Sequence, residues 1–205
     1  MERNIEVELR GPISLEKIQE IEEIFQKGGK FKKNKNRVLI DYSSSISAED
    51  ISGRTKDIRL RVTNGIPEII IKTGRWGGTD SRKEISVFTN KGEFDNLVHI
   101  FGSIGLKKGV LCVRNSKVYD YKGIEFALVE VPGHSYYFEA EKMVGSESEK
   151  LAAVKTIGSV CKELGLKVFS SEEFYKYIED LNKSVNEIFD FDKYEDNYFK
   201  NRFGL

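Results

Sequence analysis

The segment Ile5-Glu6-Val7-Glu8-Leu9-Arg10 constrains the fold more than any other stretch, because apolar and charged residues alternate through it without a break. A β-strand sends successive side chains to opposite faces, so Glu6, Glu8 and Arg10 share one face while Ile5, Val7 and Leu9 share the other. A lone surface strand would satisfy that pattern. Recurrence changes the reading: Ile58-Arg59-Leu60-Arg61-Val62 repeats it with two cations, and Phe138-Glu139-Ala140-Glu141 with two carboxylates. A closed or strongly curved antiparallel sheet, wrapped outside by helices, would keep these charged faces in one wet lumen and bury the apolar faces. The expected class is α+β, an antiparallel β-barrel with helices packed outside and a helical C-terminal segment. Carboxylates set among Arg and Lys suit a polyphosphate with its divalent metal.

The chain of 205 residues is long enough for one domain with a sizeable core. The barrel is expected over 1–145, with a helical segment over 146–205 packed on it. Basic and acidic residues number 33 each, so overall charge gives no drive toward non-specific nucleic-acid binding. Cys112 and Cys161 sit far apart in apolar contexts and read as buried thiols of a reducing cytoplasm. The sequence shows no leader, long apolar run or lipidation motif, and no membrane association is expected.

Along the chain, Gly11-Pro12 is expected to end the first strand. Ser14 is placed to cap a helix carrying Leu15, Ile18, Ile21, Ile24 and Phe25, closed by Gly28-Gly29. Lys30 to Arg37 reads as a basic loop, Val38–Tyr42 as a short strand, and Ser43–Gly53 as a polar loop. Asn64-Gly65 joins two strands, Ile58–Thr63 and Glu68–Lys72, in a hairpin. Thr73–Ser81, with three glycines around Trp76, reads as a mobile loop whose spacing fits no known phosphate-cradle motif. A strand over Arg82–Phe88 leads to a helix capped by Asn90, on which His99 reads as structural or exposed. A hairpin around Lys122-Gly123 and a strand over Tyr136–Val144 follow. Ser146 with Glu149, and Ser170 with Glu173, read as capping boxes of two helices. The aromatic tail, Phe189 to Phe203, is expected to dock on its own domain, with a homodimer contact as the alternative.

Glu6-x-Glu8-x-Arg10 resembles the ExExK signature of the CYTH superfamily, the triphosphate tunnel metalloenzymes, with Arg in place of Lys. The resemblance continues in order. Arg59-x-Arg61 is similar to the paired basic strand, Lys72 to the next cation, Arg82-x-Glu84 to the start of an RxExE strand, and Glu139-x-Glu141 to the closing ExE. It spans about residues 5 to 142. Three departures stand out. Ser86 replaces the last Glu of RxExE. Val129 falls where an Asp is usual, with Glu130 on the opposite face and Glu125 of matching parity. The cation pair near the last hairpin maps on Arg114, its partner being Ser116 by parity or Lys117 by charge.

The resemblance implies a triphosphate tunnel that processes a triphosphate or nucleotide. Arg10, Arg59, Arg61, Lys72, Arg82, Arg114 and Lys117 are the expected substrate contacts, with Arg10 and Lys72 as the catalytic cations. Guanidinium groups suit phosphate oxygens, and carboxylates suit Mg2+ or Mn2+, for which Glu6, Glu8, Glu139 and Glu141 are the candidates. Two reactions fit, triphosphate hydrolysis and cyclisation of ATP to cyclic AMP with loss of pyrophosphate. Hydrolysis is preferred because no base or ribose contacts are identifiable. A phosphate- or polyphosphate-binding protein of weak or no activity is the reading from a different class.

Overall fold

The computed structural model describes residues 5–46, 53–74 and 79–205, the side chains of 45, 46 and 79–81 excepted. The elements in chain order are β1 (Ile5–Pro12), α1 (Leu15–Gly28), β2 (Lys30–Asp41), α2 (Ser43–Ile46), β3 (Lys56–Thr63), β4 (Ile66–Thr73), β5 (Thr79–Phe88), α3 (Phe94–Ser103), β6 (Lys108–Tyr121), β7 (Ile124–Val131), β8 (Ser135–Val144), α4 (Lys150–Glu163), α5 (Ser171–Ser184), β9 (Glu187–Asp190) and α6 (Tyr198–Phe203).

Among the described residues, the strands form one antiparallel sheet in the order β2-β3-β4-β5-β1-β8-β7-β6-β9, and an added β2–β6 pairing closes the first eight into a barrel. β7 pairs with β6 over Asn115–Tyr121, and β9 takes the same strand at Lys108–Leu111. The fold is the expected barrel with helices outside. The hairpin at Asn64-Gly65 has both residues at positive φ, 51° and 81°, as a two-residue primed turn requires.

Two apolar layers clothe the barrel. Under α1 and α4 lie Val7 and Leu9 of β1, Phe126 and Leu128 of β7, and Phe138 and Ala140 of β8. Under α3 and the tail lie Val38 and Ile40 of β2 with Leu60 and Val62 of β3. The outer face of β5 has no such cover: Ile85 and Val87 are 56% and 59% exposed.

Several local expectations are corrected. Lys30–Arg37 is not a loop but the first half of β2, paired to β6 through a register shift between Phe31 and Lys33. β1 runs on through Gly11 and Pro12, which stay in register with Phe138 and Tyr137. Asn90 does not cap α3 by its side chain; only its backbone carbonyl accepts, from the Glu93 N–H at 3.2 Å. At Ser146 the hydroxyl donates to the Glu149 carboxylate at 2.9 Å rather than capping backbone, and a single 3-10 turn precedes α4. Ser14 caps α1, and Ser170 with Glu173 forms the expected capping box. Residues 75–78 of the glycine-rich loop lie outside the described residues.

The tail contains a strand, β9, and docks on its own chain. Asp95 of α3 accepts from the backbone N–H groups of Phe199 and Lys200, capping α6, while the Phe199 ring meets Phe94 at 4.8 Å. Phe191 lies against Gly102, where a Cβ would come within 2.5 Å of its ring. His99 is half-exposed against Asp196 at 3.1 Å, consistent with a structural residue.

Gly11 couples the C-terminal half to the barrel. The Phe169 N–H donates to the Arg10 carbonyl at 2.8 Å, drawing the segment before α5 across β1. A Cβ at Gly11 would lie 1.8 Å from the Lys167 carbonyl oxygen and 2.6 Å from the Phe138 ring. Gly11→Ala is therefore expected to destabilise the fold by about 1–3 kcal/mol through overpacking. Gly158→Ala in α4, whose Cβ would meet nothing nearer than 3.9 Å, serves as the control and should be neutral or slightly stabilising. Equilibrium urea unfolding measures both. Equal midpoints for Gly11→Ala and wild type would mean that the 167–169 segment does not rest on β1.

Candidate active site in the barrel lumen

Strand parity and register place the site. On β1, Glu6, Glu8 and Arg10 turn into the lumen, and pairing with β8 sets Glu8 opposite Glu141 and Arg10 opposite Glu139. β3 contributes Asp57, Arg59 and Arg61, with Asp57 opposite Lys72 of β4 and Arg61 opposite Glu68. Lys72 is in turn opposite Glu84 of β5. Several lumen charges meet their opposites across a strand, whereas Glu141 faces Glu8 on one side and Glu125 on the other. Lys72 Nζ is 2.9 Å from both Glu6 and Glu84. Arg61 holds Glu68 at 2.6 Å, and Arg10 holds Glu8 closely and Glu139 at 3.7 Å.

The lumen has two joined chambers. One, of about 230 Å³, is bordered by charged side chains alone, including Glu6, Glu8, Glu141 and Lys72. The other, of about 140 Å³, lies under α5 and mixes charged groups with rings and aliphatic groups. Arg10, Arg37, Arg59, Arg61 and Glu139 border both.

All four carboxylates proposed for metal thus face the charged chamber. So do Arg10, Arg59, Arg61 and Lys72, whereas Arg114 faces the chamber under α5. Arg82 is buried in the lumen wall and bonded to Asp57, bordering neither chamber. Lys117 is the correction: strand parity sends it out of the barrel, where it is 55% exposed and paired with Glu22 of α1 at 2.8 Å. Ser116 takes the lumen position instead. Val129 is in the lumen wall and 1% exposed, while Glu130 stays outside against Asn115, since β6 and β7 pair without a bulge. Glu125 faces inward but is held by Lys32 at 2.6 Å and Lys35 at 3.1 Å.

Sequence reading missed Arg37, Arg54, Asp41, Asp57 and Lys35. Arg37 and Lys35 were hidden by reading their strand as a loop. Asp57 was legible, since Asp57-x-Arg59-x-Arg61 extends the same alternation by one step. Its carboxylate bonds Arg82 and holds Arg59 at 2.6 Å, and Asp41 lies 3.7 Å from Arg54 and 3.9 Å from Arg59. Burial opposes ionisation of Asp57, yet Arg59, Arg82 and Arg54 outweigh it and hold its pKa below the usual range.

The carboxylates divide by their surroundings. Glu6 stays low despite burial, because Lys72, Arg10 and Arg82 surround it. Glu8 is raised well above the usual carboxylate range by burial, against Arg10, with Glu139 and Glu6 adding repulsion. Glu141 is pushed up to about 7, first by burial and then by Glu6, Glu125 and Glu139. The chamber is thus short of positive charge around Glu141. An all-oxygen donor set there fits a hard divalent cation. Among the described residues the carboxylates are not gathered as a ready ligand set, because Glu6 and Glu8 are turned to Lys72 and Arg10.

No family model matches the chain, and no curated protein matches it significantly. Solved structures do match. The PH1819 protein of Pyrococcus horikoshii OT3 is similar at 24% identity, covering 85% of this chain and 99% of that one, with a TM-score of 0.64. A candidate adenylate cyclase of Vibrio parahaemolyticus is similar at 14% identity, covering 86% and 98%, with a TM-score of 0.61. HpAC1 of Hippeastrum, a candidate adenylyl cyclase described as having a dominant triphosphatase activity, is similar at 15% identity, covering 88% and 95%, with a TM-score of 0.57. This chain has their fold. The barrel that the motif resemblance implied is therefore the barrel observed, although at these identities the likeness is one of fold. Among the described residues no helix is long and apolar enough to cross a membrane.

The raised Glu141 pKa sets a pH dependence. A carboxyl whose folded pKa lies above its unfolded value binds more protons when folded, so its contribution is full below about pH 4.5 and is lost as pH rises to about 7. Glu141→Gln should remove that loss, flattening the stability profile between those limits by on the order of 2 kcal/mol. Urea unfolding of both proteins across this range, without divalent metal, measures it. Parallel profiles would show that Glu141 is not the group crowded by its neighbours.

Proposed function

We propose that the chain is a divalent-metal-dependent triphosphate-processing enzyme that hydrolyses a triphosphate held in the tunnel. The observation that carries this reading is the band of Arg10, Arg37, Arg59 and Arg61 beside a carboxylate cluster in one closed lumen. A triphosphate carries about four negative charges and needs cations along its length, and guanidinium groups hold phosphate oxygens in pairs. Glu6, Glu8, Glu139 and Glu141 are the residues that would hold Mg2+ or Mn2+, which would supply charge neutralisation and a polarised water.

The chain's own residues do the rest. Arg59 and Arg61 grip non-bridging oxygens, held in place by Asp57 and Glu68. Lys72 and Arg10, the proposed catalytic cations, exchange their carboxylate partners for phosphate oxygens as substrate enters. In hydrolysis a water oxygen bonds to the terminal phosphorus, the bond to the bridging oxygen breaks, and the bridging oxygen leaves with the rest of the chain. The triphosphatase activity stated for HpAC1, whose fold this chain shares, supports hydrolysis over cyclisation. The two free cysteines suit a reducing compartment, and the cytoplasm is the proposed location.

Purified protein incubated with inorganic triphosphate, ATP or thiamine triphosphate plus Mg2+ or Mn2+ should release orthophosphate and lose activity on chelation. Arg59→Ala and Arg61→Ala should each weaken triphosphate binding by about 10- to 100-fold, the loss of one charge-assisted contact of about 1.5–3 kcal/mol. Pyrophosphate with cyclic AMP would replace the hydrolase reading with the cyclase. Tight binding without any turnover would leave a phosphate-binding protein. Changes below about twofold in both well-folded variants would place the anion site elsewhere.

A further inference from the structure

The lumen receives Val110, Cys112, Arg114 and Ser116 from β6, so that strand brings it one cation. Val129 of β7 lies beside Ser116 and adds no charge. β2 closes against the other side of β6. Its register sets Arg37 beside Arg114 and Lys35 beside Ser116. Arg37 and Lys35 are two residues apart on one strand, so both turn inward. Arg37 borders both chambers and Lys35 the charged one.

These cations are committed differently from the rest. Arg10, Arg59, Arg61, Lys72 and Arg82 each touch a carboxylate. Arg114 is turned instead to neutral acceptors, the Val113 carbonyl at 2.7 Å and the Asn186 amide oxygen at 2.9 Å. Among the described residues no carboxylate lies within ion-pairing distance of Arg37, and its Nε is buried without a hydrogen-bond partner. Two neighbouring guanidinium groups thus face one lumen with no acid between them. Burying like charges side by side opposes folding, and an anion placed between them would reverse the sign of the interaction. Lys35 lies 3.1 Å from Glu125, but Lys32 holds the same carboxylate at 2.6 Å. Lys35 can therefore turn away without leaving that acid unpaired.

We infer that β2 and β6 form a further phosphate subsite, in which Arg37 and Arg114 share the oxygens of one phosphate group, with Lys35 and the Ser116 hydroxyl beside them. The inference rests on the triphosphate reading of the tunnel and adds a grip that β2 supplies. Arg59 and Arg61 take phosphate in competition with their own acids. Arg37 takes it with no ion pair to break, and its planar donors suit phosphate oxygens. Lys35 supplies, from across the strand pair, the charge that Ser116 lacks.

The test is calorimetric binding of a non-hydrolysable methylene analogue of inorganic triphosphate with Mg2+, joined to urea unfolding without ligand. Arg37→Gln should weaken binding about tenfold or more. Its urea midpoint should stay level or rise, because the side chain has no acid to abandon. Arg61→Gln should lower the midpoint, since it strips the buried Glu68 of its partner. Lys35→Ala should also weaken binding, by about fivefold or more, and Lys35→Ala with Ser116→Lys, which moves the charge across the same cross-strand pair, should recover most of the loss. Lys117→Ala, next to Ser116 but outside the barrel, should bind within about twofold of wild type. Binding within about twofold of wild type by either Arg37→Gln or Lys35→Ala overturns the inference and leaves the tunnel reading intact. So does an Arg37→Gln midpoint that falls as far as that of Arg61→Gln, which would make Arg37 a structural residue. A double variant that binds no better than Lys35→Ala, or an equal loss in Lys117→Ala, overturns it as well. No binding by the wild type overturns the tunnel reading itself, and the inference with it.

Discussion

Closing the sheet turns every second side chain of each strand into a shared, narrow lumen, and this one constraint organises the molecule. Charges brought so close must be paired, because burial penalises an isolated ion severely. Pairing here follows the strand register: Arg10 with Glu139, Lys72 with Glu84, Arg61 with Glu68. Each pair is a cross-strand neighbour, so the ladder that builds the barrel also neutralises its interior. Under the proposed function these pairs exchange partners: a polyanion takes the cations and a metal ion the released carboxylates.

That exchange gives meaning to the carboxylates that do not exchange. Asp57 touches Arg59 and Arg82, and Asp41 touches Arg54 and Arg59. They fix the direction of guanidinium groups that would otherwise fold back on whichever acid lay nearest. Rigid, pre-aimed donors lose less entropy on gripping an anion. The lumen therefore contains two kinds of acid, those that anchor cations and those crowded by other carboxylates. The contrast between a lowered Asp57 and a raised Glu141 expresses it.

Much of this was legible in the sequence, for a reason that also explains what was not. β1, β3 and β8 alternate cleanly because helices cover one face and the wet lumen lies at the other. The first half of β2 lacks an apolar face, since Phe31 and Lys33 lie exposed and a register shift breaks the parity between them. It therefore reads as a basic turn, and Lys35 and Arg37 vanish with it. Lys117 shows the converse error, in which charge outweighed parity; one residue earlier, Ser116 holds the lumen position. The α5 roof could not be read at all. Helical periodicity in Phe174, Tyr177, Ile178 and Leu181 reveals an apolar face, but not that the face looks onto an open chamber instead of a filled core.

β1, the stretch that first suggested the barrel, also sets the direction of the tunnel. Glu6 and Glu8 border only the charged chamber, Arg10 borders both chambers, and Gly11 lies beneath the segment that leads into α5. Read along the strand, the order is carboxylate, cation, and the segment that leads into α5. Arg10 stands at the junction, touching Glu8 and Glu139 on one side and the Phe174 ring on the other. Lysine at this position would supply the charge but not the flat, delocalised face that lies against a ring. In this chain the substitution of Arg for Lys in the first motif and the aromatic helix more than 150 residues later are two halves of one contact.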